Sequence, residues 1–186
     1  SLLTSATMSE IDSAADGFTT YEIIVELGEA ASNVYAMYGN AESPMSFPSA
    51  FGVGTSTWLT IGRDTAQSTV SSAGIDWDAW TVDAGFSSTD ALVFVTPDLG
   101  VSASAPVMLG QITVATGTAG AVTLGLQGQS TGDAADWQLG GVAFAYGGGA
   151  VKVSSAITFA SAQIDDLSEG SPERTSFETD FKAAMG

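Results

Sequence analysis

An all-β chain, folded as an antiparallel β-sandwich of jelly-roll type with a short C-terminal helix, is what this sequence predicts. Three observations lead there. Apolar residues recur at every second position in several short runs, the period of strands with one dry and one wetter face. Clusters rich in Gly, Ser, Thr, Asp and Pro separate those runs at the spacing of turns. The 22 glycines of the 186 residues, with abundant Thr, Val and Ser, disfavour helix before about residue 165.

Residues 2–11 read as a first strand or a tether, and DSAADG at 12–17 as a turn. The organising stretch is 19–40. Tyr21, Ile23, Val25 and Leu27 alternate with Glu22, Ile24 and Glu26, a polar connection follows, and a second apolar run at 34–38 stops at Gly39 and Asn40. Two runs so close predict an antiparallel hairpin. The loop at 41–57 holds Phe47 and Phe51, expected to tuck onto the core. WLTI at 58–61 is a compact strand ended by Gly62, and 63–74 is loop-like. IDWDAWTV at 75–82 alternates less regularly, while ALVFV at 91–95, apolar on both faces, reads as a central buried strand. Met108, Gly110, Ile112 and Val114 share one parity, and Val122, Leu124 and Leu126 alternate after the TGTAG turn at 116–120; a second hairpin is expected there. Leu139, Val142, Phe144 and Tyr146 mark a further strand, with Gly140 and Gly141 as a bulge. Val151, Val153, Ile157 and Phe159 mark the last one.

The sandwich is therefore expected to span 1–165, followed at 166–186 by an acidic linker and a short amphipathic helix. Ser171 is placed to cap that helix and Pro172 to open it. Phe177, Phe181 and Met185 recur at spacing four, one apolar stripe that should dock on the sandwich or anchor a partner subunit.

Charge narrows the partners. There are 21 Asp and Glu against 4 Lys and Arg, a net charge of −17. With no basic patch to release counterions, nucleic acid and anionic membrane surfaces are not expected as partners. The chain has no Cys and no His, which removes thiol nucleophiles, Ser-His-Asp triads and the usual zinc ligands. Stability must come from sheets and core without disulfides. Apolar runs such as ALVFV at 91–95 fall far short of the ~20 residues of a membrane helix, so no membrane span is expected. The first residue is Ser1, which leaves room for a targeting segment upstream.

Several motifs resemble those of secreted β-sandwich modules of marine bacteria and unicellular algae. A Y-x-V-x-V strand precedes a segment ending in an aromatic residue and Gly, as in YEIIV at 21–25 and YAMYG at 35–39. STWLTIG at 56–62 resembles their S/T-x-W-x-T-I-G strand, and VMLGQITVATG at 107–117 a later V-L-L-A-Q-x-T-x-x-G strand. The likeness covers about residues 18–146 and carries no catalytic residues. It implies a secreted or surface location, with an organelle (thylakoid) lumen as the alternative, and a binding or structural role.

Four chemistries fit the residues that are present. Calcium wants six to eight oxygens, and acidic loop pairs can supply some of them: Asp12 with Asp16, Asp76 with Asp78, Asp133 with Asp136, and Asp165 with Asp166. None follows the spacing of a helix–loop–helix calcium loop, and Asp133 with Asp136 is taken as the candidate Ca²⁺ pair. A glycan platform needs aromatic rings beside hydroxyl acceptors, and Asp76, Trp77, Asp78 and Trp80 interleave the two. A carboxylate-pair glycosidase could use Asp76 with Asp83 or Glu22 with Glu26, although nothing in the spacing singles them out. Assembly is the fourth: a Lys-poor sandwich without Cys, held to other protein subunits by its edges and its tail. The expected role is a non-enzymatic structural or interaction module in an extracellular, surface or lumenal assembly, with carbohydrate-binding or calcium-dependent adhesion as the alternative.

Overall fold

The computed structural model describes residues 1–13, 15–62, 70–96, 100–102, 105–132 and 136–147. In chain order the strands are β1 (Leu3–Ile11), β2 (Phe18–Leu27), β3 (Asn33–Val34), β4 (Ala36–Tyr38), β5 (Met45–Phe47), β6 (Trp58–Leu59), β7 (Ser71–Ala73), β8 (Phe86–Ser88), β9 (Leu92–Phe94), β10 (Val101–Ser102), β11 (Val107–Ala115), β12 (Gly120–Gly128) and β13 (Trp137–Tyr146). No helix occurs among the described residues.

Two antiparallel sheets form the sandwich. The smaller has the order β1-β2-β11-β6, and the larger runs β7-β9-β4-β12-β5-β8 with β13 also paired to β12. β3 and β10 make a separate short pair. Alternation dictates which side chains meet between the sheets. From β2 the buried set is Tyr21, Ile23, Val25 and Leu27; from β12 it is Val122, Leu124 and Leu126. Phe144 and Tyr146 of β13 join them, and the rings of Tyr21 and Tyr146 meet across the layers at 5.5 Å between centroids. Of residues 2–11, read as strand or tether, Leu3–Ile11 form strand β1, which pairs with β2 along most of its length.

Both expected hairpins are absent. β2 lies in the smaller sheet whereas β4 lies in the larger, and β11 and β12 are divided in the same way. Each pair of runs buries one face, so the polypeptide can cross the open end of the sandwich instead of turning back within a sheet. Stacked sheets lie only about 10 Å apart, a gap that a few residues span. The first crossing is pinned by backbone bonds from Gly28 to Leu2 and from Ala30 to Ser1, the second by the bond from Thr116 to Gly17. The hairpins that do form are β1–β2, through the turn at 12–17, and β12–β13.

Bulges reset the parity. Along β11 the register slips between Met108 and Gly110, so Val107 and Leu109 face the core before the slip and Ile112 and Val114 after it. The expected single parity from Met108 to Val114 is thereby corrected. The bulge expected at Gly140 and Gly141 is present opposite Gly125, where the β12–β13 register shifts. Gly125 is required there, since a Cβ on it would come within 2.5 Å of the Tyr38 ring.

The strand at 91–95 is paired on both sides but is not buried on both faces. β9 sits between β4 and the edge strand β7. Val93 is buried in the core, but Leu92 and Phe94 are half-buried on the outer face beside Tyr38 and Ala36. Phe47 is buried and Phe51 half-buried, stacked on Phe18 at 4.5 Å. Hydroxyls tie this loop to β11. Thr57 Oγ1 donates to the Phe51 carbonyl at 2.8 Å and accepts from the Thr113 amide at 2.9 Å, while Thr113 Oγ1 donates to the Ser56 carbonyl at 2.8 Å. Their job is to fix where β6 begins. The strand expected at 151–159, the boundary at 165 and the C-terminal helix lie outside the described residues.

Leu126→Ala, in the middle of the sandwich, should cost about 2–5 kcal/mol in denaturant unfolding. Val82→Ala, at a residue 48% exposed, should change stability by less than about 0.5 kcal/mol. Among the described residues the buried Thr60 Oγ1 finds no hydrogen-bond partner, so Thr60→Val should raise stability by about 1 kcal/mol in the same assay.

Candidate ligand site at Trp77

The segment 75–82 is a turn and not a strand, and this decides where its side chains go. Asp76 Oδ1 accepts the Ala79 amide at 3.1 Å, and the Asp76 carbonyl accepts the Trp80 amide at 3.3 Å. Asp76 and Asp78 are left exposed while Trp80 turns inward. Trp80 is 1% exposed. Its Nε1 donates to the Pro48 carbonyl at 2.8 Å, and Phe47 and Phe86 pack on it at 5.0 and 5.1 Å. The ring of Trp77 lies 6.0 Å from that of Trp80, tilted by 31°. The two exposed, coplanar indoles that a glycan platform would need are therefore not formed: Trp80 is a core residue, because an indole buries much area and needs a single acceptor. Trp77 alone is half-buried, with Nε1 donating to Ser72 Oγ at 3.3 Å.

Trp77 separates two recesses. One is a half-open, mainly apolar recess of about 200 Å³, lined by Gly54, Trp58, Leu59, Val70, Ser72, Trp77 and Val93. The other is shallow and open, lined by Gly74, Ile75, Asp76, Trp77, Asp78 and Asp90. Asp90 accepts a hydrogen bond from Ser88 Oγ at 2.7 Å. Sequence reading finds Asp76, Trp77 and Asp78 because they adjoin. It misses Asp90, Val70, Ser72 and Val93, which only the pairing of β7 with β9 brings near.

The other expected residues are dispersed. Asp136 is committed to Tyr35, whose hydroxyl donates to Asp136 Oδ2 at 2.7 Å and accepts from Gln127 Nε2 at 2.6 Å. Its expected calcium partner, Asp133, lies outside the described residues, as do Phe177, Phe181 and Met185. Among the described residues no three Asp or Glu side chains gather as metal ligands would. Glu22 and Glu26 point away from the core of β2, and four residues of extended strand set them about 13 Å apart. That backbone spacing is wider than the carboxyl separation of either glycosidase geometry.

Comparison with known proteins finds no match. No family model fits the chain, and no curated protein or solved structure matches it.

Burial raises the phenol pKa of Tyr21, Tyr35, Tyr38 and Tyr146 above 10.0; at Tyr35 the hydrogen bond to Asp136 and its negative charge add to the effect of burial. The folded state thus holds these protons more tightly than the unfolded chain. Their stabilisation is fully present below pH 10 and declines as pH rises beyond it. Tyr35→Phe should cost about 1 kcal/mol at neutral pH, since exposed Asp136 can rehydrate. It should also make the alkaline loss of stability shallower, as measured by urea unfolding between pH 8 and roughly 11.

Proposed function

We propose that this chain is a non-enzymatic interaction module, a subunit of an extracellular, surface or lumenal assembly whose facing partner is cationic. The observation that carries the reading is the sign of its surface. Every charged side chain among the described residues is a carboxylate, spread from Glu10 on β1 to Asp136 before β13. Copies of such a chain repel one another, and a basic surface would neutralise it. The resemblance of the strand motifs to secreted sandwich modules supports the location. The four basic residues, Arg63, Lys152, Arg174 and Lys182, all fall outside the described residues. Contact of this kind is steered by long-range charge and weakened by salt, because the Debye length shrinks from ~10 Å at 0.1 M to ~3 Å at 1 M.

The native protein should therefore co-purify with a basic protein at low ionic strength and separate from it as salt is raised toward 1 M. Recovery as a lone monomer at low salt, or a complex indifferent to salt, would contradict the reading. So would turnover of a substrate by the purified chain.

A further inference from the structure

We propose that the two recesses flanking Trp77 form one binding site for a small organic cation, an amine with an apolar body. The apolar recess fixes the size of that body. A dry cavity of about 150 Å³ accepts benzene, and the recess here, about 200 Å³ between Trp58, Leu59, Val70, Trp77 and Val93, has room for a phenyl or short alkyl group. Its walls are already ordered. Trp58 and Leu59 come from β6, which the Thr57 and Thr113 hydroxyl bonds hold in place, and Val93 comes from β9 between two paired strands. Behind Trp77 stands Trp80, fixed by its bond to the Pro48 carbonyl.

The second recess fixes the charge. Asp76, Asp78 and Asp90 line it beside the same indole, and no Lys or Arg lies among the described residues to neutralise them. An ammonium group at the rim of Trp77 would meet carboxylates and the electron-rich ring face together. An anion is repelled from this position. A neutral sugar leaves the apolar cavity empty, and a bare metal ion uses neither the cavity nor the indole. The inference goes beyond the proposed assembly role, because a small amine is not the protein partner.

The test is titration of phenethylammonium chloride into the full chain, read by tryptophan fluorescence and calorimetry, with 2-phenylethanol as the neutral counterpart. Saturable binding of the amine is expected, about tenfold tighter than the alcohol. Asp76→Asn, Asp78→Asn and Asp90→Asn together remove the charge but keep oxygen acceptors for the Ala79 amide and the Ser88 hydroxyl. That triple variant should melt as the parent does and bind the amine no better than the alcohol. Trp77→Leu should abolish binding of both. Equal affinity for amine and alcohol, undiminished amine binding by the triple variant, tighter binding of a neutral glucoside, or no saturable binding at all would each overturn the site. A chain that fails this titration yet stays in a salt-sensitive complex loses the site and keeps the assembly role.

Discussion

The dry layer between the two sheets is the constraint on which everything else depends. Ile23 and Val25 on one side and Leu124, Leu126 and Phe144 on the other are wholly removed from water. With no disulfide in the chain, this burial is the main force opposing the entropy of the unfolded polypeptide. The sheets' backbone bonds follow from it, since a strand whose side chains are buried must pair its amides and carbonyls as well. β12 shows the coupling most clearly. It gives three side chains to the core, takes β13 along one edge, and shares its other edge between β4 and β5.

How much of this is legible in the sequence depends on the range of the interaction concerned. Alternation is local, so Tyr21, Ile23, Val25 and Leu27 declare both a strand and its buried face. The fold class follows from several such runs. Pairing is not local. The same alternation serves whether β2 turns back on β4 or crosses the sandwich, and only the long-range match with β1 and β11 decides. A bulge is harder still to read, because one extra residue at Leu109 exchanges the two faces without leaving any mark in the pattern. Gly140 with Gly141 is the readable exception, two residues with no side chain at the point where the strand must kink.

The candidate site divides along the same line. Asp76, Trp77 and Asp78 are visible as neighbours, but the identity of the exposed indole is not. Trp77 and Trp80 look alike in the sequence, and the turn capped by Asp76 sends one to the rim and the other to the core. The remaining walls come from β6, β7 and β9, segments whose nearness is a product of the fold. Charge, by contrast, is additive and needs no coordinates: the negative surface could be read from composition alone, and the structure adds where its members stand.

The crossing of the chain between layers has a consequence for biosynthesis. β2 emerges early, can pair at once with β1, and then waits roughly 80 residues for β11 to reach its other edge. At ribosomal speeds of ~5–20 residues per second, that is a delay of roughly 4–16 s. Throughout it, one flank of β2 and the oily faces of both early strands lack their native cover. A nascent chain in this condition is open to mispairing with its neighbours on a polysome, and its net negative charge would keep those neighbours apart until β12 and β13 arrive.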